Sequence, residues 1–487
     1  MRKRFEQQSS LGLIPISEIN IDLKSRDSVA KICLSLLEIF NNATYNEKVF
    51  NILEATLMKG KNNTGRNGMD LWQIFVFAQF RLALNLSYDR LHHMANNDRS
   101  IRTLLGVESS DFGMHRIEFQ YQQILDNVGL LTDEMLHQIN EVIVAFGHKE
   151  VFKKKEEAAL LLKSDSYVVE SNVHFPTDYN LLYDCCRKTL DFVQKFTLKY
   201  PQIQGWRKRK DWCKTLKNAS RRVGQASSRG GANKEAQLKK ETEDYIRKAR
   251  LLMAKIDQEK RTFPLATTVD LSNLLELEHF LKLAKKHIDL LERRVLKGEI
   301  IPHSEKMFSV FETYTEWINK GKSNPNVELG KKMTITTDQY NLIVDYKIME
   351  HQSDSEVMIE IACKILAKYS VASWSFDKGY WNKDNKELLE TAVNMVVMPK
   401  KGKCNKAESE QEHGKDFKKL RNKHSAIESN INELENRGLG RCPDRGYAHF
   451  KRYLALGVCA YNLHKIGAQI LANRIKEAES QRLRQAA

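Results

Sequence analysis

Lys163-Ser-Asp-Ser-Tyr-Val-Val-Glu-Ser171 is where the chain changes character. Its Ser166-Tyr-Val-Val-Glu-Ser half is β-branched and aromatic, the profile of a strand. The sequence before it reads as helix. Val29, Ile32, Leu36 and Phe40 recur at helical spacing from Ser28 to Phe40. Leu71, Ile74, Phe75, Ala78 and Leu82 form one stripe within Met69–Leu84. Ser87 suits the N-cap of a helix at Tyr88–Asn96, and Gly106 suits the stop after Ser100–Leu105. Short helices with tight connections over residues 1–150 fit a helix-turn-helix-like DNA-binding domain, and fit a plain helical packing domain as well.

Beyond the strand, the sequence from Leu181 to about Lys297 is helical again and strongly basic. Between Arg187 and Arg261 there are 22 Lys and Arg against 8 Asp and Glu. Arg207-Lys-Arg-Lys210, Arg221-Arg222 and the flexible Ser227-Ser-Arg-Gly-Gly231 fall here, and Trp206 and Trp212 flank the first cluster. So concentrated an excess of one sign favours contact with phosphates over a merely solvated helical hairpin.

Strand signals return after Pro302. Met307–Phe311 comes first, and Met333–Thr337 and Leu342–Ile348 follow as a hairpin around Asp338-Gln-Tyr-Asn341. Then come a helix at Ser355–Tyr369, a strand at Ser373–Phe376, a helix at Lys383–Val393 and a strand at Met395–Met398. A charged loop at 400–414 precedes helices at about 416–437 and 447–475. The expected fold class is therefore α/β: a mixed-sheet core interrupted by a large basic helical insertion and preceded by an all-α N-terminal domain. The expected boundaries are 1–150 for the N-terminal domain, 151–182 with 299–475 for the core, 183–298 for the insertion and 476–487 for a tail.

The chain has 487 residues, enough for two to four domains, and 78 Lys and Arg against 62 Asp and Glu for a net charge of +16. That balance favours a polyanionic partner, nucleic acid before an anionic membrane. No apolar run reaches the length of a membrane-spanning helix, and the basic start Met1-Arg-Lys-Arg has no apolar region after it as a secretory signal would. The eight Cys are scattered with no C-x-x-C pair, which argues against a zinc ribbon and for reduced thiols in a cytosolic compartment.

Three acids stand out by position. Asp165 opens the first core strand, Asp377 ends a later one just before Lys378-Gly379, and Glu428 lies on the helix after the last strand. On that helix Ile427, Ile431 and Leu434 form the apolar stripe, and Glu428 sits about 100° from it, at the edge of the packed face. Three converging carboxylates repel one another unless a cation holds them, and hard oxygen ligands suit Mg²⁺. Asp338, Asp345, Asp354 and Asp384 compete in the same region. Asp338 reads as a hairpin turn residue and Asp345 as a mid-strand one.

The words around these acids resemble those of bacterial insertion-sequence transposases of the DDE type. Lys163-Ser-Asp-Ser-Tyr-Val-Val-Glu-Ser-Asn172, continuing to Leu182, resembles their first catalytic block, and Ser375-Phe-Asp-Lys-Gly-Tyr380 resembles the second. His424-Ser-Ala-Ile-Glu-Ser-Asn-Ile-Asn432, continuing to Leu439, resembles the third, and Asn462-Leu-His-Lys-Ile466 the usual tail. Gly65–Asp70 with Leu86-Ser-Tyr88 resembles the helical N-terminal domain. The likeness spans most of residues 1–475 and is nearest the ISNCY-like branch. It implies an RNase H-like core with Asp165, Asp377 and Glu428 as catalytic, metal-binding triad. It also implies two Mg²⁺ ions, replaceable by Mn²⁺, and hydrolysis at the element ends followed by strand transfer into target DNA. The implied partners are double-stranded DNA and a second copy of the chain on paired ends, in a bacterial, nucleoid-associated setting. Some relatives space Tyr, Arg, Glu and Lys around the glutamate. Here His424 takes the Arg place and Glu435 the Lys place, so the phosphate-clamping role of those residues is not carried over. Candidate DNA contacts are Arg207, Lys208, Arg209, Lys210, Arg221, Arg222, Lys400 and Lys401, with Lys403 beside them. The competing readings are a catalytically silent DNA-binding derivative and a nuclease without strand transfer.

Overall fold

A computed structural model describes residues 2–5, 14–60, 68–107, 116–319 and 326–486. Of the Gly65–Asp70 motif, residues 65–67 lie outside the described residues. The chain forms two compact units. One comprises Met1–Asn172 with Ile318–Ala487, and the other Val173–Trp317.

The first unit opens with seven helices: α1 (Ser28–Asn41), α2 (Ala43–Leu57), α3 (Leu71–Ala83), α4 (Tyr88–Asn97), α5 (Arg99–Leu104), α6 (Tyr121–Val128) and α7 (Asp133–Phe146). The caps are local chemistry. Ser87 accepts the Arg90 N–H at 3.2 Å and starts α4, and Gly106 adopts φ +69° after α5. Strand β1 (Leu160–Ser171) follows.

The second unit is a bundle of four helices: α8 (Asp178–Lys199), α9 (Arg209–Ser228), α10 (Lys234–Glu259) and α11 (Thr268–Leu291). Leu182, Cys186, Val193, Leu216, Val223, Leu252, Ile256 and Leu281 lie in its core. Val310 is buried in the same core, and Met307–Phe311 is irregular chain instead of the expected strand. An apolar residue recruited into a helix bundle needs no strand partner, and this segment has none.

The chain re-enters the sheet at β2 (Glu316–Asn319) and continues through β3 (Val327–Thr337), β4 (Ile343–Ile348), α12 (Asp354–Leu366), β5 (Val371–Phe376), α13 (Lys383–Glu390) and β6 (Met395–Val397). A short helix, α14 (Lys406–His413), forms within the expected loop at 400–414, and the expected single helix at 416–437 is two pieces, α15 (Lys415–His424) and α16 (Ala426–Leu434). Gly414 separates α14 from α15 with an extended backbone, and Ser425 separates α15 from α16. A two-residue strand, β7 (Arg441–Cys442), and the long α17 (Tyr447–Ala486) complete the fold. No described helix is long and apolar enough to cross a membrane.

Strand β1 is central. The order across the sheet is β2-β3-β1-β5-β6, with β4 also on β3 and β7 also on β1. β3 runs antiparallel to β1, while β5 runs parallel to it, so the sheet is mixed. β5 accompanies β1 only from Leu160 to Ser164, and β7 pairs only with Glu170 and Ser171. The edge of β1 is therefore released beginning at Asp165. Helix α17 packs against α1, α3 and α7, so the N-terminal helices share a core with the sheet's own C-terminal helix. Asn462 of α17 is fully buried. It accepts the Ile343 N–H at 2.8 Å and donates to the Ile343 carbonyl at 2.9 Å and to Asn140 at 2.8 Å. This amide clasp holds the start of β4 against the helices.

Candidate active site

Register places the first two acids side by side. Along β1 and β5 the partners are Leu161 with Ser373, Lys163 with Ser375, and Ser164 with Phe376. Asp165 and Asp377 are the next residues on each strand, and neighbouring strands lie about 4.8 Å apart. Behind them the strands are locked together. Trp374 Nε1 donates to Ser164 Oγ at 2.8 Å, and Ser164 shares a 2.7 Å hydrogen bond with Thr336 of β3. Odd-numbered β1 positions alternate to the opposite face from the Leu160, Leu162 and Trp374 core. That opposite face is covered by α15 and α16, and α16 carries Glu428.

Electrostatics brings the third acid in. Burial pushes the Asp165 carboxyl up to about 6, its hydrogen bond from the Ser166 N–H opposes this, and the charges of Asp377, Asp354 and Glu428 push it further up. Asp377 and Glu428 therefore both act on Asp165 at this end of the sheet. Asp377 and Glu428 are exposed, and neither side chain has a hydrogen bond or ion pair among the described residues.

Asp354, at the start of α12, is a fourth acid at the site. Its carboxylate is engaged: Lys332 pairs with it at 2.5 Å and Ser166 Oγ donates to it at 2.7 Å. Gly379 makes room for it, since a Cβ there would stand 2.8 Å from Asp354 Oδ2. Asp338 and Asp345 lie elsewhere. Asp338 is buried against His148 at 2.5 Å and caps the hairpin by accepting the Tyr340 and Leu342 N–H groups. Asp345 is buried mid-strand facing His137.

Among the described residues, no three His, Cys, Asp or Glu side chains gather closely enough to hold a metal ion between them. The donor chemistry nevertheless fits a hard divalent cation. The ligands on offer are carboxylate oxygens, two of the three acids are unpartnered, and burial first and like charge second disfavour the ionised form of the third. A shared cation relieves that repulsion.

His424 ends α15 beside these acids. Its Nδ1 lies 2.9 Å from Ser375 Oγ, and its buried Nε2 has no hydrogen-bond partner. Burial lowers its pKa, the Asp377 charge raises it and the Lys163 charge lowers it again.

The basic residues divide into two sets. Arg209 pairs with Asp191, and Arg222 pairs with Glu241 at 2.7 Å and Asp244 at 2.9 Å, so both hold the bundle together. Lys400 is engaged by Glu408 at 2.6 Å. Trp206 is buried in the bundle core with Lys255 over its ring, and Trp212 packs against that core, so neither ring stands free beside the basic cluster. Arg207, Lys208, Lys210, Arg221 and Lys401 are exposed and unpaired. Lys214 and Lys217, which the cluster-based reading passed over, are exposed and unpaired as well. The signal for them is spacing. Lys210, Lys214, Lys217 and Arg221 fall at intervals of four, three and four, one ridge of α9 about 16 Å long.

Residues 300–463 match the family model described as the transposase DDE domain. The match takes in Asp377 and Glu428 and begins downstream of Asp165 and of most of the helical bundle. It supports a transposase function in general, and with it a polynucleotidyl transferase or nuclease acting on DNA and an RNase H-like fold for the sheet. No curated protein matches the chain, and no solved structure does.

Proposed function

We propose that the chain is the DDE transposase of a bacterial insertion sequence of the ISNCY-like branch. In this reading it hydrolyses phosphodiester bonds at the element ends and transfers the freed 3′-hydroxyl into target DNA. The observation that supports the reading is that Asp377 and Glu428, inside the matched region, both act by their charge on Asp165, outside it, and that register sets Asp165 beside Asp377. Asp165, Asp377 and Glu428 would hold the divalent ions, Mg²⁺ or Mn²⁺. Bound there, such ions supply activation of the attacking oxygen and stabilisation of the leaving one at phosphorus. The protein's own part is placement. The locked Trp374–Ser164–Thr336 network keeps β1 rigid beneath the acids, and Lys332 and Ser166 hold the Asp354 carboxylate beside them. The unpaired ridge of α9, with Arg207 and Lys208, would run along a DNA backbone. Joining two ends needs both held at once, so the working form would be a homodimer on paired ends, acting in the bacterial nucleoid.

The test uses the full chain and a supercoiled plasmid carrying the DNA that flanks its gene. Mg²⁺-dependent cuts at two inverted repeats, and joined products from pre-cleaved ends, are the expected result. Cuts without joining would reduce the protein to a nuclease, and tight binding without cuts would leave a silent derivative.

A further inference from the structure

A cavity of about 420 Å³ lies under α15 and α16, on the same face of the sheet as the acids. Its floor is the two register rows that precede them, Leu161 with Ser373 and Lys163 with Ser375. Successive rows on one face of a strand are two residues apart, roughly 6.6 Å. The cavity thus begins one row from Asp165 and Asp377. Its roof includes Lys423 and Ser429, the second being the neighbour of Glu428.

The charge within it is of one sign. Lys163 and Lys423 line the cavity, and no lining residue is acidic. Neither ammonium group has a hydrogen bond or ion pair among the described residues. Elsewhere in this unit several such groups are paired: Lys332 with Asp354, Lys451 with Asp133 and Lys465 with Glu433. Asp338, whose charge reaches Lys163, is already occupied by His148 and two backbone N–H groups. Ser373, Ser375, Ser425 and Ser429 add further polar groups to its lining. Two cations, Lys163 half-buried and Lys423 exposed, face one cavity without a counter-charge, the arrangement of an anion site.

We propose that this cavity binds a phosphodiester of the DNA strand that enters the carboxylates, one position away from the bond to be cut. This rests on the transposase reading above. Lys163 and Lys423 act as positioning residues, setting which bond of the strand lies against Asp165 and Asp377 without touching the reacting atoms.

The experiment compares the full-length wild type with Lys423→Gln and with Lys163→Gln/Lys423→Gln, after thermal melts establish that each folds. Binding of a fluorescein-labelled 12-nucleotide strand is titrated in EDTA across a salt series, and cleavage of the flank-bearing plasmid is mapped in Mg²⁺. Each lost phosphate contact lowers the salt slope by about 0.7 for a single strand. The double variant should therefore show a slope shallower by about 1.4, and its cuts should scatter over neighbouring bonds. Lys423→Gln, exposed on α15 and tolerant of substitution, should show about half the slope change. An unchanged slope together with an unshifted cleavage position overturns the proposal. Displacement of the strand by submillimolar inorganic phosphate in the wild type alone would assign the cavity to a free anion, and would also overturn it. Lysine-dependent strand binding without any metal-dependent cleavage would sink the transposase reading while leaving a phosphate site in place.

Discussion

Asp165 carries an internal conflict that makes its role measurable. Its folded pKa of about 6 stands above the ordinary aspartate value, so the ionised form is disfavoured by the fold. A raised carboxyl pKa means that stability is lost as pH climbs from about 4 through about 6, and stays lost at neutral pH. Asp165→Asn removes the charge and keeps the shape. In EDTA at pH 7.5 the variant should be more stable than the wild type by roughly 1–3 kcal/mol, from a shift of about two units. Mg²⁺ should raise the melting temperature of the wild type and leave the variant unmoved, and cleavage should be abolished. Denaturant melts with and without the ion check this, and an unstabilised variant would remove Asp165 from the acid cluster. Asp377→Asn and Glu428→Gln should likewise abolish cleavage. Asp354→Asn should retain it, because the Asp354 oxygens are taken up by Lys332 and Ser166 and not left open to a ligand. Metal-dependent turnover at wild-type rates by Asp377→Asn, or none by Asp354→Asn, would reassign the site.

Within the bundle, His287 of α11 is fully buried, neither ring nitrogen has a partner, and burial drives its pKa down to about 4. Lys286 lowers it further. A depressed histidine favours the fold while it is neutral, so its contribution is complete above about pH 6.5 and is lost as pH falls toward 4. Between pH 7.5 and 5 that loss should be about 2 kcal/mol. His287→Leu should flatten the acid limb of unfolding over this range, as followed by helix CD, and an unchanged limb would disprove the assignment. A helix crossing supplies a second test. A Cβ on Gly467 of α17 would stand 1.8 Å from the Lys31 carbonyl of α1, backbone against backbone. Gly467→Ala must therefore push the two helices apart and should cost at least ~2 kcal/mol, despite alanine's better helix propensity. A neutral or stabilised variant in thermal melts would show that the crossing is loose.

The two units have separate cores, and this permits a test by excision. Asn172 follows β1 and Ile318 lies in β2, two strands away across β3, a gap of about 10 Å. A Gly/Ser linker of about eight residues spans that distance easily, and loop closure adds little cost. Replacing Val173–Trp317 should leave a chain that still melts cooperatively and still responds to Mg²⁺. It should bind duplex DNA more weakly and with a flatter salt dependence. The narrower variant of the same experiment neutralises Lys210, Lys214, Lys217 and Arg221 to Gln. Four lost phosphate contacts should lower the salt slope by about 3.6. A slope unchanged from the full chain would return α9 to a solvated face.

Much of this protein is readable from local pattern, because local pattern is what builds its elements. The 3.6-residue stripes mark α1, α3 and α12, the cap at Ser87 and the stop at Gly106 are single-residue chemistry, and the β-branched run at 166–171 marks β1. The words that suggested Asp165, Asp377 and Glu428 are contiguous in sequence and so legible in the same way, although Asp165 lies within β1 and does not open it. Three things were not. Met307–Phe311 has the apolar, aromatic composition of a strand, but the bundle core takes Val310 and the segment is irregular chain. Arg209 and Arg222 belong to the same basic clusters as Arg207 and Arg221, yet acids on neighbouring helices claim them. Lys163 and Lys423, 260 positions apart, meet at one cavity only because α15 packs on β5, the sheet neighbour of β1. Sequence specifies which groups are charged and which faces are apolar. Whether a charge is answered by a neighbour or left open for a ligand depends on long-range packing, and that is a property of the folded chain.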